Sequence, residues 1–230
     1  MQVDILELIS GAEQARGTAV IIDVFRAFTL EPVILDRGAA ELIATGDEAA
    51  ARRRKEQDPS WILAGERHGR KLEGFDYGNS PSEALQVSFE NKHVVHTTSA
   101  GTQGLAGAVH ADLLFAASLV NAKATAQVIA QLRPDQVSLV CMGWEGRRNT
   151  EEDLLCARYI KALLEGETYP GIREDALALK EQEGRKFFDP AQADVFPEAD
   201  FWVCVDVNRY DFAIQAVPIR DGFAMRKVRP

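Results

Sequence analysis

Short runs of consecutive apolar residues recur along this chain, and segments with helical periodicity separate them. The run Ala-Val-Ile-Ile at residues 19–22 is typical of a strand that is buried on both faces of a sheet. Alternation of such strands with helices predicts a layered α/β fold whose sheet is at least partly parallel. No shift in composition marks a boundary, so residues 1–230 are predicted to form one domain. Strands are predicted at residues 3–8, 17–24, 41–44, 61–64, 92–97, 112–116, 136–142, 199–205 and 213–219.

The stretch at residues 65–81 interrupts this alternation. Its sequence, GERHGRKLEGFDYGNSP, has neither helix nor strand periodicity, so we predict a long loop that leaves the end of the strand at 61–64. Long loops in compact domains commonly carry functional residues. Pro81 indicates the start of a helix, where free N–H groups favour anions. An exposed surface loop that is charged because it is solvated is the alternative interpretation.

The charge of the chain limits its partners. A net charge of −9 argues against binding to nucleic acid or to an acidic membrane surface. No apolar run approaches the roughly 20 residues that a membrane-spanning helix needs. The N-terminus lacks the basic region of a signal peptide, and three cysteines suit a reducing compartment, so a cytoplasmic location is predicted. A homodimer is a further prediction, for which no single motif argues.

Four of the predicted strands are followed by loops rich in polar residues. In α/β folds such loops lie beyond the carboxyl ends of the strands, where ligands bind. Carboxylates from separate loops are typical ligands of Mg²⁺, whereas hydroxyls and backbone N–H groups at a helix start suit phosphate or sulfonate. Each residue alone could equally be a turn or cap residue. The candidates are Asp23 and Arg26; Glu66, Asp76 and Asn79; Thr97, Thr98, Ser99 and Thr102; and Arg147, Thr150, Glu152 and Asp153.

Cys141 and Arg147 have the Cys-x5-Arg spacing of cysteine-dependent phosphatases. Glu145 would place a carboxylate in the phosphate cradle of such an enzyme, and Trp144 is too bulky for it. A small buried cysteine at the end of a core strand is therefore the favoured interpretation of Cys141. Among the four histidines, only His68 is a candidate acid, and a structural role is predicted for the other three.

Taken together, these residues resemble the 2-phosphosulfolactate phosphatases. The specific element is Gly-Phe-Asp-x-Gly-Asn-Ser-Pro at residues 74–81. Weaker elements occur in the family's order from about residue 17 to 160. They are the segments at residues 20–27, 65–67 and 97–102, the pair Ser118 and Asn121, and Glu152-Asp153 after Gly143 and Gly146.

The resemblance implies a Mg²⁺-dependent phosphatase that acts on 2-phospho-3-sulfolactate, a step towards coenzyme M. It also implies a three-layer α/β/α fold with a mixed, partly parallel sheet. Metal ligands would come from Asp23, Glu66, Asp76, Glu152 and Asp153, and Glu66 or Asp153 would act as general base. The substrate oxyanions would be held by Arg26, Asn79, Thr97, Thr98, Gly101, Thr102 and Arg147.

Two positions depart from the family pattern. Ala100 stands where the family commonly has Asn, and Phe28 stands where it usually has a small hydroxyl residue. Both changes affect the expected identity of the substrate more than the type of reaction. We therefore expect a phosphatase for a small anionic phosphate ester. Its alternatives are a phosphatase with Cys141 as nucleophile and a non-catalytic binder of small anionic metabolites.

Overall fold

The computed structural model describes residues 1–230 and contains one mixed sheet of ten strands. The strands are β1 (Gln2–Glu7), β2 (Gly17–Ile22), β3 (Glu41–Ala44), β4 (Ile62–Arg67), β5 (Arg70–Lys71), β6 (His93–Thr97), β7 (Ala111–Ala117), β8 (Gln136–Cys141), β9 (Ala213–Ile219) and β10 (Gly222–Val228). They are arranged in the order β1-β8-β2-β7-β9-β10-β3-β6-β4-β5.

Nine α-helices pack against the sheet or connect its strands. They are α1 (Leu8–Gln14), α2 (Ala27–Asp36), α3 (Glu48–Gln57), α4 (Pro81–Ala84), α5 (Gly101–Gly107), α6 (Ala122–Leu132), α7 (Glu151–Leu164), α8 (Ile172–Ala178) and α9 (Glu198–Cys204). Short 3-10 turns connect α8 to α9. None of the helices has the length and apolar character required to cross a membrane.

The sheet consists of two parallel groups of strands that the β9–β10 hairpin joins. Strands β1, β8, β2 and β7 are parallel to one another, and so are β3, β6 and β4. Three successive antiparallel pairings, β7–β9, β9–β10 and β10–β3, connect the groups. The two groups therefore run in opposite directions along the hydrogen-bonded order. The loops that follow the strands of the first group and those that follow the strands of the second group therefore do not lie at one edge of a single parallel sheet.

Helices cover both faces of the first parallel group. On one face, α6 and α7 bury residues such as Val20, Ile22 and Leu139. On the other face, α2 and α5 pack against Ile21 and contribute to a core that also contains residues of β3, β4 and β6. The three-layer α/β/α prediction is confirmed. Because α5 follows β6 but packs on β2, this helix brings the loops of the two groups together.

Most of the predicted strands are present, but three details differ from the expectation. Residues 199–205, predicted as a strand, form helix α9, in which apolar Phe201, Val203 and Cys204 are buried. The sequence predicts a helix over residues 31–37 that stops at Gly38, but α2 begins earlier, at Ala27, and includes Pro32. The stretch at residues 65–81, predicted as a loop, contains the short β4–β5 hairpin. The predicted helix start is present, because α4 begins after Ser80. That residues 1–230 form one domain stays a prediction.

We expect Gly104→Ala to destabilise the protein, because the added Cβ would overlap Met142 Sδ and lie only 2.7 Å from Ile21 Cγ2. Overpacking of this kind costs about 1–3 kcal/mol. Gly107→Ala in the same helix is the matched control, since its Cβ would meet only Ala12 Cβ at 3.5 Å. Urea unfolding of both variants measures the difference. Equal midpoints would show that the α5–β2 contact is not tight.

Candidate active site

A narrow cleft lies where the loops after β2, β4, β6 and β8 meet. Phe25, Trp144 and Phe196 form its apolar walls, and the remaining lining residues are polar or small. Among these residues, one is cationic and three are anionic, so the cleft has a mixed charge. Its lining comprises Asp23, Phe25, Arg26, Glu66, Gly69, Asn79, Ser99, Ala100, Gly143, Trp144, Glu145 and Phe196.

Asp23 joins the two halves of the sheet at the base of the cleft. Its Oδ1 accepts a hydrogen bond from the Ala27 N–H at 3.1 Å, and its Oδ2 accepts one from the Gly101 N–H at 2.9 Å. A Cβ at residue 101 would lie 2.9 Å from Asp23 Oδ2, so the close approach requires glycine there. Burial, together with the nearby charge of Glu66, raises the pKa of Asp23 to about 6 despite these hydrogen bonds. A carboxyl group of this kind titrates close to neutral pH.

Asp153 is fully buried behind the cleft and fixes two of the loops that line it. Its Oδ1 accepts from the Val24 N–H at 2.8 Å, and its Oδ2 accepts from the Gly143 N–H at 2.7 Å. Burial raises the pKa of Asp153, and the charges of Glu152 and Asp23 raise it further. Asp153 does not line the cleft, so its observed contacts are those of a residue that shapes the loops.

Glu152 is a second buried carboxylate beside Asp153. Its Oε2 is buried and has no hydrogen-bond partner. Burial raises the pKa of Glu152 to about 7, while the Lys186 ammonium group opposes that shift. An unpartnered carboxylate oxygen in the interior is costly in free energy, and a bound cation is one group that would offset the cost.

Glu66 fixes the loop at residues 65–81 against the turn that follows β6. Its Oε1 accepts from the Ser99 N–H at 2.7 Å, and its Oε2 accepts from the Gly69 N–H at 2.6 Å. Glu66 is only 6% exposed but lines the cleft. The predicted functional loop therefore does contribute residues to the candidate site.

Arg26 supplies the cationic side chain of the cleft, and it is held from two sides. Its Nη1 donates to Asp200 Oδ2 at 2.6 Å, and its Nη2 donates to the Gly69 carbonyl at 3.2 Å. The guanidinium also lies 4.9 Å from the centroid of the Phe196 ring. These contacts fix the guanidinium and leave further N–H donors for an anion.

Asp200 and Lys186 are functional candidates that the sequence reasoning missed. Asp200 Oδ1 accepts from the Ser82 N–H at 2.9 Å and from the hydroxyls of Ser80 and Ser82, so it joins Arg26 to the start of α4. The Lys186 ammonium lies 4.6 Å from the Trp144 ring centroid and 5.3 Å from that of Phe196. No signal in the sequence identified Asp200 as the partner of Arg26, and the predicted strand at 199–205 placed it in the wrong element.

Several predicted site residues lie outside the cleft. Thr98 and Thr102 hydrogen-bond to each other at the start of α5, and Thr97 Oγ1 accepts from Arg67. Ser99 and Ala100 line the cleft from this turn instead. Asp76 pairs with Lys55 and accepts from the Leu63 N–H, so it fixes the loop away from the cleft. Arg147 is exposed to solvent and does not line the cleft.

The structure argues against Cys141 as a nucleophile. Its side chain is 3% exposed and belongs to the core under α7. Burial strongly raises the pKa of the thiol, and the charge of Asp153 raises it further, so the reactive thiolate is disfavoured. His68 is exposed and contacts Glu145, which lines the cleft, so His68 lies at the rim of the site.

The donor chemistry of the site fits Mg²⁺. Asp23 and Glu66 line the cleft with carboxylates, which are ligands that Mg²⁺ prefers, and Glu152 has an unpartnered buried oxygen behind them. No three acidic, His or Cys side chains form a ready-made metal cluster. Mg²⁺ does not require one, because it commonly uses one or two carboxylates together with water and substrate phosphate oxygens.

Comparisons with known proteins point to one family. A family model described as 2-phosphosulpholactate phosphatase matches residues 3–192. A probable 2-phosphosulfolactate phosphatase of Synechococcus sp. (strain RCC307) is 40% identical over 67% of this chain and 64% of its own length. A protein with the same name from Bacillus subtilis (strain 168) is 32% identical over 85% of this chain and 85% of its own length. Another from Thermus thermophilus is 36% identical over 94% of this chain and 94% of its own length.

We expect Glu152→Gln to stabilise the folded protein at pH 8. The pKa of Glu152 is about 7 in the folded protein, against an ordinary 4.5, so folding favours the protonated carboxyl group. The contribution of Glu152 to the free energy of unfolding is therefore full below about pH 4.5 and is lost as the pH rises through 7. Removing the charge should raise the free energy of unfolding by about 3 kcal/mol at pH 8. The gain should vanish below pH 4.5 in urea unfolding. Glu151→Gln, an exposed neighbour, is the control. A gain that is independent of pH would contradict this account.

Proposed function

This chain belongs to the 2-phosphosulpholactate phosphatase family, and we propose that it hydrolyses 2-phospho-3-sulfolactate or a similar small anionic phosphate monoester to the alcohol and phosphate. Family membership also confirms the predicted enzyme class, phosphoric monoester hydrolase. The observation that carries the proposal is the cleft itself, in which one fixed Arg and two strand-end carboxylates face the same space. A location in the cytoplasm and assembly as a homodimer stay predictions.

Binding of the substrate begins with Arg26. Asp200 and the Gly69 carbonyl already hold the guanidinium, so little side-chain entropy is lost when an anion binds. The remaining N–H groups would donate to phosphoryl or sulfonate oxygens. Asn79 lines the cleft beside Arg26 and would supply further donors. The walls formed by Phe25, Trp144 and Phe196 would exclude bulk water from the reacting groups.

Asp23 and Glu66 would hold Mg²⁺, and Glu152 and Asp153 would support the site from behind. When bound, the cation would supply charge neutralisation at the phosphoryl oxygens. Of the two candidate bases, only Glu66 lines the cleft, and we assign to it the role of orienting the attacking water and accepting its proton. Asp153 would keep a structural role, in which it holds the backbone of Val24 and Gly143 in place.

The two departures from the family pattern have different consequences. Ala100 lines the cleft, where an Asn side chain would offer an amide to the substrate. Phe28 is fully buried in the core beneath Gly101 and does not line the cleft. We therefore propose that Ala100, and not Phe28, shifts the preference among substrates, towards an ester with one hydrogen-bond acceptor fewer at that position.

We expect phosphate release from 2-phospho-3-sulfolactate or from another small ester in the presence of Mg²⁺, and we expect EDTA to abolish it. Colorimetric phosphate detection across a panel of esters measures both. Cys141→Ser should keep its activity, because the buried thiol takes no part in the reaction. Release that survives EDTA and is lost in Cys141→Ser would overturn the metal proposal. If the folded protein released no phosphate from any ester but was stabilised by phosphate, it would be a binder of anionic metabolites.

Asp23→Asn should weaken Mg²⁺ binding and lower phosphate release by at least about 100-fold, since the neutral amide supports the cation poorly. Asp76→Asn is the matched control, because Asp76 was a predicted ligand but lies away from the cleft. Its Mg²⁺ dependence should equal that of the unchanged protein. The readouts are the Mg²⁺ concentration for half-maximal activity and calorimetric Mg²⁺ binding. A larger shift in Asp76→Asn would place the metal elsewhere.

A further inference from the structure

A chain of polar side chains runs from the protein core to the cleft. His96 and Glu31 are both 0% exposed, and His96 Nδ1 lies 3.0 Å from Glu31 Oε1. On the other side of the ring, His96 Nε2 lies 3.3 Å from Asn79 Oδ1. Asn79 lines the cleft, whereas Glu31 and His96 do not. The sequence had indicated only a structural role for His96.

This arrangement is costly for the fold. Two ionisable groups lie entirely in the interior, and Glu31 Oε2 is buried without a hydrogen-bond partner. The other carboxyl oxygen, Glu31 Oε1, has His96 as its polar contact. Buried polar pairs are often no more stabilising than apolar residues of the same shape. A pair that ends at a residue of the candidate site therefore suggests a role in function.

The chemistry of the ring determines how the Asn79 amide is turned. Asn79 Oδ1 can only accept, so His96 Nε2 must carry a hydrogen. At Nδ1, the ring either donates to an ionised Glu31 or accepts from a protonated one, and both states leave Nε2 protonated. With Oδ1 engaged, the Nδ2 group of Asn79 is the part of the amide that remains for the cleft. An amide free to rotate would also present its oxygen there, and that oxygen would repel an anion.

We propose that Glu31 and His96 are positioning residues that hold the Asn79 side chain with Nδ2 turned into the cleft, where it donates to a phosphoryl or sulfonate oxygen. The substrate part of this inference rests on the proposed phosphatase function. The orientation part does not, because it concerns the unliganded protein. Arg26 and Asn79 would then present donors to the anion from two sides of the same space.

The orientation is tested first, without any substrate. Long-range ¹⁵N–¹H spectra of ¹⁵N-histidine-labelled protein report which nitrogen of each ring is protonated, and the His96 signals are identified by their absence in His96→Gln. The expected result is a protonated Nε2. An unprotonated Nε2 would mean that the ring accepts from Asn79 Nδ2, so that the oxygen faces the cleft, and it would overturn the proposal.

Steady-state kinetics then test the role. His96→Leu removes the donor and should raise KM about tenfold with little change in kcat, as expected when a binding contact is lost. His96→Gln keeps an amide donor and should recover most of that loss. In an Asn79→Ala background, His96→Leu should have no further effect on KM, because its action passes through Asn79. His93→Gln is the control, since His93 is an exposed residue of the same strand that pairs with Glu41.

The outcomes separate the two proposals. A KM that rises equally with and without Asn79 would show that His96 does not act through that side chain. Lower stability with unchanged KM, measured on folded His96→Leu, would give His96 a purely structural role. If the unchanged protein released no phosphate from any ester, the proposed function would fail. The NMR result and binding of inorganic phosphate to Asn79→Ala and His96→Leu would then still decide the positioning role.

Discussion

The hydrogen bonds of the Asp23 carboxylate link the parts of the structure that meet at the cleft. One oxygen accepts a hydrogen bond from the first residue of α2. The other accepts one from the first residue of α5, the helix that follows β6 in the second group of strands. The two groups are otherwise joined within the sheet only through the β9–β10 hairpin. A substitution at residue 23 would therefore alter the helix that follows it, the packing of α5 and the shape of the cleft together.

The interior around Asp23 concentrates negative charge, and this charge has a cost. Burial raises the pKa values of Asp23, Glu152 and Asp153, and their mutual repulsion adds to the effect for Asp153. Core residues chosen for stability alone would not be three neighbouring carboxyl groups. Backbone N–H groups offset part of the cost for Asp23 and Asp153, but Glu152 Oε2 has no such donor. Perturbed groups of this kind cluster at functional sites, which agrees with the position of the cleft.

The sequence predicted the layered fold and the loops that meet, because both depend on local patterns. Asp23 follows a continuous apolar run, and Glu66 begins a glycine-rich loop, so their neighbourhoods identify them. Asp76 carries the same signals, yet its carboxylate turns towards Lys55, and no local pattern distinguishes the two directions. Asp200 was missed because an apolar run of this length fits a strand or a buried helix equally well. The contribution of His96 depends on which residue lies opposite it 17 positions away, and this is set by the tertiary structure.

The balance of charge in the cleft argues for a cation in the proposed reaction. Asp200 already neutralises Arg26, and the pair is buried on both sides. The Lys186 ammonium, which lies against the rings of Trp144 and Phe196, offsets only one of the charges of Asp23, Glu66 and Glu145, so the balance stays negative in a protein whose net charge is −9. A doubly anionic ester would be repelled by such a site, and the neutral donors of Asn79 are too few to reverse the repulsion. A divalent cation held by Asp23 and Glu66 would reverse the sign locally, so the carboxylates that are costly to bury would gain a partner.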